Sequence, residues 1–259
     1  MLRVPFGDTL PIKVPHGPPD DRFLYLSDVL PTAWQAVEYA DVEDGGTLLV
    51  IGAGPIGDMA SRIAMHRGLR VIVVDSVRER LARVHGRGGE TLDHTEVDGV
   101  GDRVRELTDG RGADAVIDAV GMEAHGSPVA ETAQKALGLL PKKLQEKIML
   151  NVGADRLAAL MSAIDSVRRG GTVSISGVYG APTDPLPMFQ LFDKQVQVRM
   201  GQANVRRWSD EILALLEKDD DVLGVETFAT HHLPLEDAPS AYRTFRDKED
   251  GMVKVVFTP

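Results

Sequence analysis

The residues with the clearest chemical potential are Gly52-Ala53-Gly54-Pro55-Ile56-Gly57, a G-x-G-x-x-G run. It directly follows an apolar stretch, Thr47–Ile51, and opens a helical pattern over Pro55–His66. An acidic residue, Asp75, ends the next apolar stretch 18 positions after Gly57. That is near the spacing of about 20 at which a carboxylate meets a ribose. Gly52 permits a tight turn, Gly54 lets backbone approach a pyrophosphate, and Gly57 lets helix and strand pack closely. The helix N-terminus adds unpaired N–H groups and about half a positive charge for phosphates. In this context the pattern specifies a dinucleotide site. Asp75 favours NAD, because a 2′-phosphate at about 5 Å from it, at an effective dielectric near 20, costs about 3 kcal/mol. Arg78 and Arg80 partly offset that preference. A ligand-free strand–helix turn and a methyltransferase site are the competing readings; the third glycine and the strand set described next count against the second.

Such a loop works only if strands and helices hold it. Apolar runs rich in β-branched residues predict strands at Thr47–Ile51, Arg70–Asp75, Ala113–Asp118, Gly171–Ser176 and Gln195–Met200, with a weaker one at Glu90–Asp93. Helical patterns lie between them, at Pro55–His66, Val77–Val84 and Val100–Thr108. Strands alternating with helices imply parallel βαβ units. Six of them match a Rossmann sheet, a doubly wound α/β fold with strand order 3-2-1-4-5-6. The fourth and fifth strands are separated by about fifty residues rather than one helix. An insert is expected there, with helices over Val129–Leu140 and Ala154–Arg169 and an ambiguous stretch between. Residues 1–31 read as Pro-rich loop. The C-terminal part reads as a helix (Trp208–Lys218), a strand (Val225–His231), a helix (Leu235–Arg246) and a last strand (Met252–Phe257).

Composition removes several function classes. The chain has 259 residues, and 29 Lys and Arg against 39 Asp and Glu give a formal net charge of −10. That acidity argues against a nucleic-acid partner. There is no cysteine, so thiol nucleophiles, disulfides and Cys-ligated metal are excluded from these residues. No apolar run approaches the length of a membrane span of about 18 residues. The start lacks a signal peptide's apolar stretch, and a cytoplasmic protein with no membrane association is expected. None of the four tyrosines (Tyr25, Tyr39, Tyr179, Tyr242) is followed four positions on by Lys, which sets aside short-chain dehydrogenases.

The order of several short motifs carries a resemblance across the chain. They are RVPFGDTLPIKVP near the start, FLYLSDVLPTAWQAVEYA at 23–40, VIGAGPIGDMA at 50–60, VIDAVGMEAHG at 116–126, GGTVSISGVYG at 170–180, MGQANVRRW at 200–208 and the closing HHLPLEDAPSAYRTFRDKEDGMVKVV. Together they resemble the C-terminal two-thirds of the zinc-dependent medium-chain alcohol dehydrogenases, and most closely the glutathione-independent formaldehyde dehydrogenase branch. The resemblance implies that Asp28 is a catalytic zinc ligand, where other alcohol dehydrogenases carry Cys, and that Thr32 packs against the nicotinamide. It implies that Gly52, Gly54, Pro55, Ile56, Gly57, Asp75 and Arg80 meet the adenosine and pyrophosphate. Val120, Ser176, Val178, Gly201 and Ala203 fall where the family meets the nicotinamide half or the insert loop. His125 and Ser127 occupy insert-loop positions where the branch uses other polar groups.

The resemblance also implies a division into 1–32 as a remnant of the catalytic lobe, 33–203 as the NAD-binding domain (insert about 121–165), and 204–259 as the return to that lobe. The family's first domain, which this chain lacks, supplies a Cys and a His to the catalytic zinc. A catalytic zinc needs about three protein ligands, and Asp28 alone supplies one. The seven histidines show no metal-binding spacing; His231 and His232 are adjacent and point to opposite faces of a strand. The expected function is therefore the coenzyme-binding portion of an NAD-dependent alcohol or aldehyde dehydrogenase, with small alcohols or aldehydes as substrates, zinc not retained, and homo-oligomerisation through the coenzyme domain. The alternatives are an inactive NAD-binding or oligomerisation module, or one half of a split dehydrogenase.

Overall fold

The computed structural model describes residues 3–120, 157–179 and 186–259. Its centre is a six-stranded parallel sheet: β1 (Thr47–Ile51), β2 (Arg70–Asp75), β3 (Glu90–Asp93), β4 (Ala113–Asp118), β5 (Val167–Ile175) and β6 (Gln197–Met200). The strand order is β3-β2-β1-β4-β5-β6, as the alternating pattern predicts. The register sets Leu49 beside Ile72 and Val116. Side chains alternate between faces along each strand, so two cores form. Leu48, Val50, Val71, Val73 and Ile117 face one side; Leu49, Ile51, Ile72, Val74 and Val116 face the other.

The first core holds helices α1 (Asp21–Leu24), α2 (Val29–Ala40) and α3 (Pro55–His66). The second lies under α5 (Val100–Leu107) and α6 (Ala158–Ser166), with α4 (Arg78–His85) preceding them in sequence. Pro31 sits in the first turn of α2, where its missing N–H costs nothing. Residues 21–31, expected as loop, are instead mostly helical. Phe23, Tyr25, Leu26 and Leu30 are buried in the first core, and that burial overrides the local proline content.

The C-terminal segment joins the same core. Helix α8 (Val205–Leu216), which follows α7 (Met188–Lys194), buries Trp208, Ile212 and Leu216. Buried Arg22 clamps this segment, donating from Nη1 to the carbonyls of Leu216 (3.2 Å) and Lys218 (2.6 Å), and from Nε to Glu226 (2.8 Å). A small parallel pair, β7 (His231–Pro234) with β8 (Val255–Thr258), and helix α9 (Ala238–Asp247) complete the chain.

Several predicted elements differ, among them β5, which starts at Val167 rather than Gly171, and β6, which starts at Gln197 rather than Gln195. The strand predicted over Val225–His231 is absent before His231: the Asp221 carboxylate accepts from the Val225 and Glu226 N–H groups (both 2.8 Å), and Arg62 donates to the Leu223 carbonyl just ahead of them (2.9 Å). Strand pairing begins only at His231. The helix predicted over Ala154–Arg169 ends at Ser166, because Val167 joins β4 opposite Ala113. The last strand starts at Val255, not Met252. The predicted helix Val129–Leu140 lies outside the described residues.

Candidate cofactor site

All six strands are parallel, so their carboxyl ends share one edge, the edge where doubly wound sheets bind ligands. Gly52 follows β1, Asp75 ends β2, Val120 lies two residues past β4, Ser176 follows β5 and Gly201 follows β6. Helix α2 leads into β1 from the opposite edge. Asp28 and Thr32, at the N-terminal end of α2, therefore stand at the carboxyl edge too.

The glycine loop has the geometry its sequence predicts. Gly52 has φ +96°, and a Cβ there would lie 2.8 Å from Val120 Cγ2. A Cβ on Gly57 would lie 1.7 Å from the Gly52 carbonyl oxygen, so only glycine lets α3 start this close to β1. Gly54 is different. Its backbone is extended, φ −67° and ψ −173°, and a Cβ would meet only Arg80 Nη1, at 3.7 Å. Side-chain absence at Gly54 is not needed for folding, which leaves its loop face open to a ligand. Pro55 is the first residue of α3 and Ile56 packs on the first core.

Asp75 is held by the loop it serves. One carboxylate oxygen accepts from the Ala53 N–H at 2.6 Å; the other accepts from the Ser76 and Val77 N–H groups at 2.7 and 2.9 Å. The acid is fixed in place, half-buried, beside the glycine loop. Arg78 is paired with Glu96 at 3.1 Å, so its charge is partly spent; Arg80 is the cation beside Gly54.

On the other half of the edge, buried Asp118 organises the turns. Its backbone oxygen accepts from the Ser176 and Gly177 N–H groups (both 3.0 Å), and its Oδ1 accepts from the Val120 N–H at 3.0 Å. The Tyr179 hydroxyl donates to its Oδ2. Burial, then the Asp118 charge, pushes the Tyr179 phenol above its ordinary pKa. Asp118 thus ties Ser176, through its backbone carbonyl, to Val120, through its carboxylate, and the carboxylate anchors the segment that carries exposed Val178. The sequence marks Asp118 only as a strand end and gives Tyr179 no role in the site; the strand-end acid is the available signal. Gly201 has φ +153° with open space where a Cβ would be, and Ala203 is half-buried. His125 and Ser127 lie outside the described residues.

Asp28 is the one zinc ligand that the resemblance implies for this chain. Exposed Asp28 uses Oδ1 to accept from the Thr32 hydroxyl at 2.9 Å. Among the described residues no group of three or more His, Cys, Asp or Glu is arranged to hold a metal, and the chain has no Cys. These residues do not fit a catalytic zinc. His231 lies between Thr230 Oγ1 (2.9 Å) and Asp250 (3.2 Å), and His232 lies 3.7 Å from Asp21.

The fold and the glycine loop define a dinucleotide-binding α/β domain of Rossmann type. A family profile described as Zinc-binding dehydrogenase matches residues 55–140. The chain is 32% identical to the uncharacterized zinc-type alcohol dehydrogenase-like protein AdhB of Bacillus subtilis (strain 168), over 100% of this chain and 65% of that protein. It is 28% identical to the zinc-type alcohol dehydrogenase B of Aspergillus flavus, over 99% of this chain and 53% of that protein. The alcohol dehydrogenase TADH from Thermus sp. ATN1 superposes with a TM-score of 0.77 at 30% identity, over 96% of this chain and 61% of that one. By these likenesses the chain is similar, over nearly its whole length, to zinc-type alcohol dehydrogenases. The glutathione-independent formaldehyde dehydrogenase of Pseudomonas aeruginosa (strain LESB58) is more distant, at 26% identity over 93% of this chain and 60% of that protein. The chain thus spans less than two thirds of the length of these relatives.

Proposed function

We propose that this chain binds NAD along the carboxyl edge of its sheet and is the coenzyme-binding portion of an alcohol or aldehyde dehydrogenase. The observation that supports this most is the pairing of an open Gly54 with an Asp75 carboxylate fixed by the same loop. Gly52, Gly54, Pro55, Ile56 and Gly57 with the α3 N-terminus would hold the pyrophosphate; Asp75 and Arg80 would hold the adenosine side. Val120, Ser176, Val178, Gly201 and Ala203 would flank the nicotinamide half, near Thr32. When bound, NAD accepts or returns a hydride; the chain's own residues orient it and exclude a 2′-phosphate. The division at residues 32/33 and 203/204, and action on aldehydes such as formaldehyde, belong to the same proposal.

A second reading rests on Asp28. Among the described residues its carboxylate accepts from the Thr32 hydroxyl alone, and they offer no metal cluster, so the chain by itself would bind NAD without zinc-assisted turnover. It would then be a binding module, or one half of an enzyme completed by another polypeptide. Homo-oligomerisation is supported by the outer edge, where Val198 and Met200 of β6 and Phe189 and Phe192 of α7 are exposed.

The test is a fluorescence titration with NADH and NADPH, with zinc measured on the same sample. Saturable NADH binding, with NADPH weaker by up to about a hundredfold, supports the reading. No saturable NADH binding overturns it. One tight zinc per chain would favour autonomous catalysis over the second reading.

A further inference from the structure

Gln35 is a polar residue on the buried face of α2, only 4% exposed. A buried amide is costly unless its hydrogen-bonding groups are paired. Here both of its halves are. Nε2 donates to the carbonyls of Gly201 (3.2 Å) and Gln202 (3.0 Å). Oε1 accepts from the Asn204 N–H (3.0 Å) and from the Trp208 indole N–H (3.1 Å). Two carbonyls on one side and two N–H donors on the other fix the orientation of the amide.

These partners all lie on the segment that leaves β6 at the carboxyl edge and enters α8. Asn204 also caps α8, its side chain accepting from the Arg207 N–H at 3.3 Å. Gly201 faces open space. Gln35 therefore fastens one end of a loop whose free face looks onto the edge where the cofactor lies. It stands three residues after Thr32, on an adjacent position of the same helix. The helix itself is pinned to β5 by the Ser174 hydroxyl, which donates to the Ala36 carbonyl at 2.9 Å. The strand order puts Asp75 on the β2 side of β1 and Gly201 on the β6 side. Anything Gln35 controls is thus on the half of the edge away from the adenosine.

We propose that Gln35 is a positioning residue for the nicotinamide half of the cofactor, setting the Gly201–Ala203 backbone relative to Thr32. The proposal rests on the NAD-binding reading above. Its test compares NADH with ADP-ribose, which keeps the adenosine and pyrophosphate but lacks the nicotinamide. Gln35→Met removes all four hydrogen bonds. Gln35→Glu keeps acceptors for Asn204 and Trp208 but loses the amide donors to Gly201 and Gln202, and serves if the Met variant does not fold. Trp208→Phe removes only the indole bond.

The expected result is NADH binding weakened on the order of tenfold in both Gln35 variants. ADP-ribose binding should stay within about twofold of the unsubstituted chain. Trp208→Phe should leave the ratio of the two affinities unchanged. A ratio that does not move in either Gln35 variant overturns the positioning role, because a purely structural contribution would affect both ligands alike. Failure of the unsubstituted chain to bind even ADP-ribose overturns the cofactor reading itself, and this role with it.

Discussion

Gly54 and Gly57 lie three residues apart in one motif, and the structure assigns them separate consequences. Gly57→Ala places a Cβ 1.7 Å from the Gly52 carbonyl oxygen and 2.9 Å from its carbonyl carbon. Backbone cannot swing aside as a side chain can, so β1 and α3 must separate by more than an ångström. Overpacking of this kind costs about 1–3 kcal/mol and occasionally more, and this site belongs at the top of that range. Gly54→Ala meets no such obstacle. Its φ and ψ suit any residue, and the nearest atom to the new Cβ is the end of the Arg80 side chain, at 3.7 Å. Its stability should stay level or rise by up to about 1 kcal/mol through a less flexible unfolded chain. The new methyl would instead occupy the pyrophosphate's path. Loss of one charge-assisted hydrogen bond, at about 1.5–3 kcal/mol, predicts NADH binding weaker by tenfold to about a hundredfold. Urea unfolding followed by circular dichroism and a parallel NADH titration separate the two effects. A Gly54→Ala chain that binds NADH as tightly as the unsubstituted one would refute the placement of the phosphates over this loop.

Three further outcomes are expected. Asp75→Asn should narrow the discrimination between NADH and NADPH by up to about a hundredfold, since it removes the charge that opposes a 2′-phosphate. It should also cost about 1–3 kcal/mol of stability, because one amide oxygen cannot serve the Ala53, Ser76 and Val77 N–H groups together; paired NADH and NADPH titrations with a urea curve check both. Tyr179→Phe removes a donor from buried Asp118 and should cost about 1–3 kcal/mol in urea unfolding. The raised Tyr179 pKa adds a pH signature: the stability it carries is complete below about pH 10, the ordinary phenol value, and declines as pH rises beyond it, a slope that Tyr179→Phe should flatten. Zinc should be substoichiometric after dialysis, and chelator should leave NADH binding unchanged, as elemental analysis and titration on one sample will show; tight stoichiometric zinc would mean that Asp28 finds partners beyond the described residues.

The centre of the sheet was legible in the sequence because β1, β2 and β4 are buried on both faces. Runs such as Thr47–Ile51 and Arg70–Asp75 need no neighbour's identity to be read as parallel strands, and the glycines and Asp75 carry their geometry in their own backbone requirements. The strand order followed from the same alternation. What failed lay where side chains, not periodicity, order the backbone. Val225–His231 has a strand's composition, yet Asp221 takes up its first two N–H groups, and Arg62, far away along the chain, holds the Leu223 and Gly224 carbonyls just before it. Residues 21–31 look like loop until Phe23, Tyr25 and Leu30 find a core built largely by later residues. Gln35 could not be read at all: a glutamine among PTAWQAVEYA has no local signal, and only the tertiary structure brings Gly201, Gln202, Asn204 and Trp208 to its amide. The sequence by itself determined the glycine turn and the place of Asp75 beside it, because those depend on backbone conformation and one charge. The opposite half of the site depended on which strand ends meet, and that is settled only when the sheet has formed.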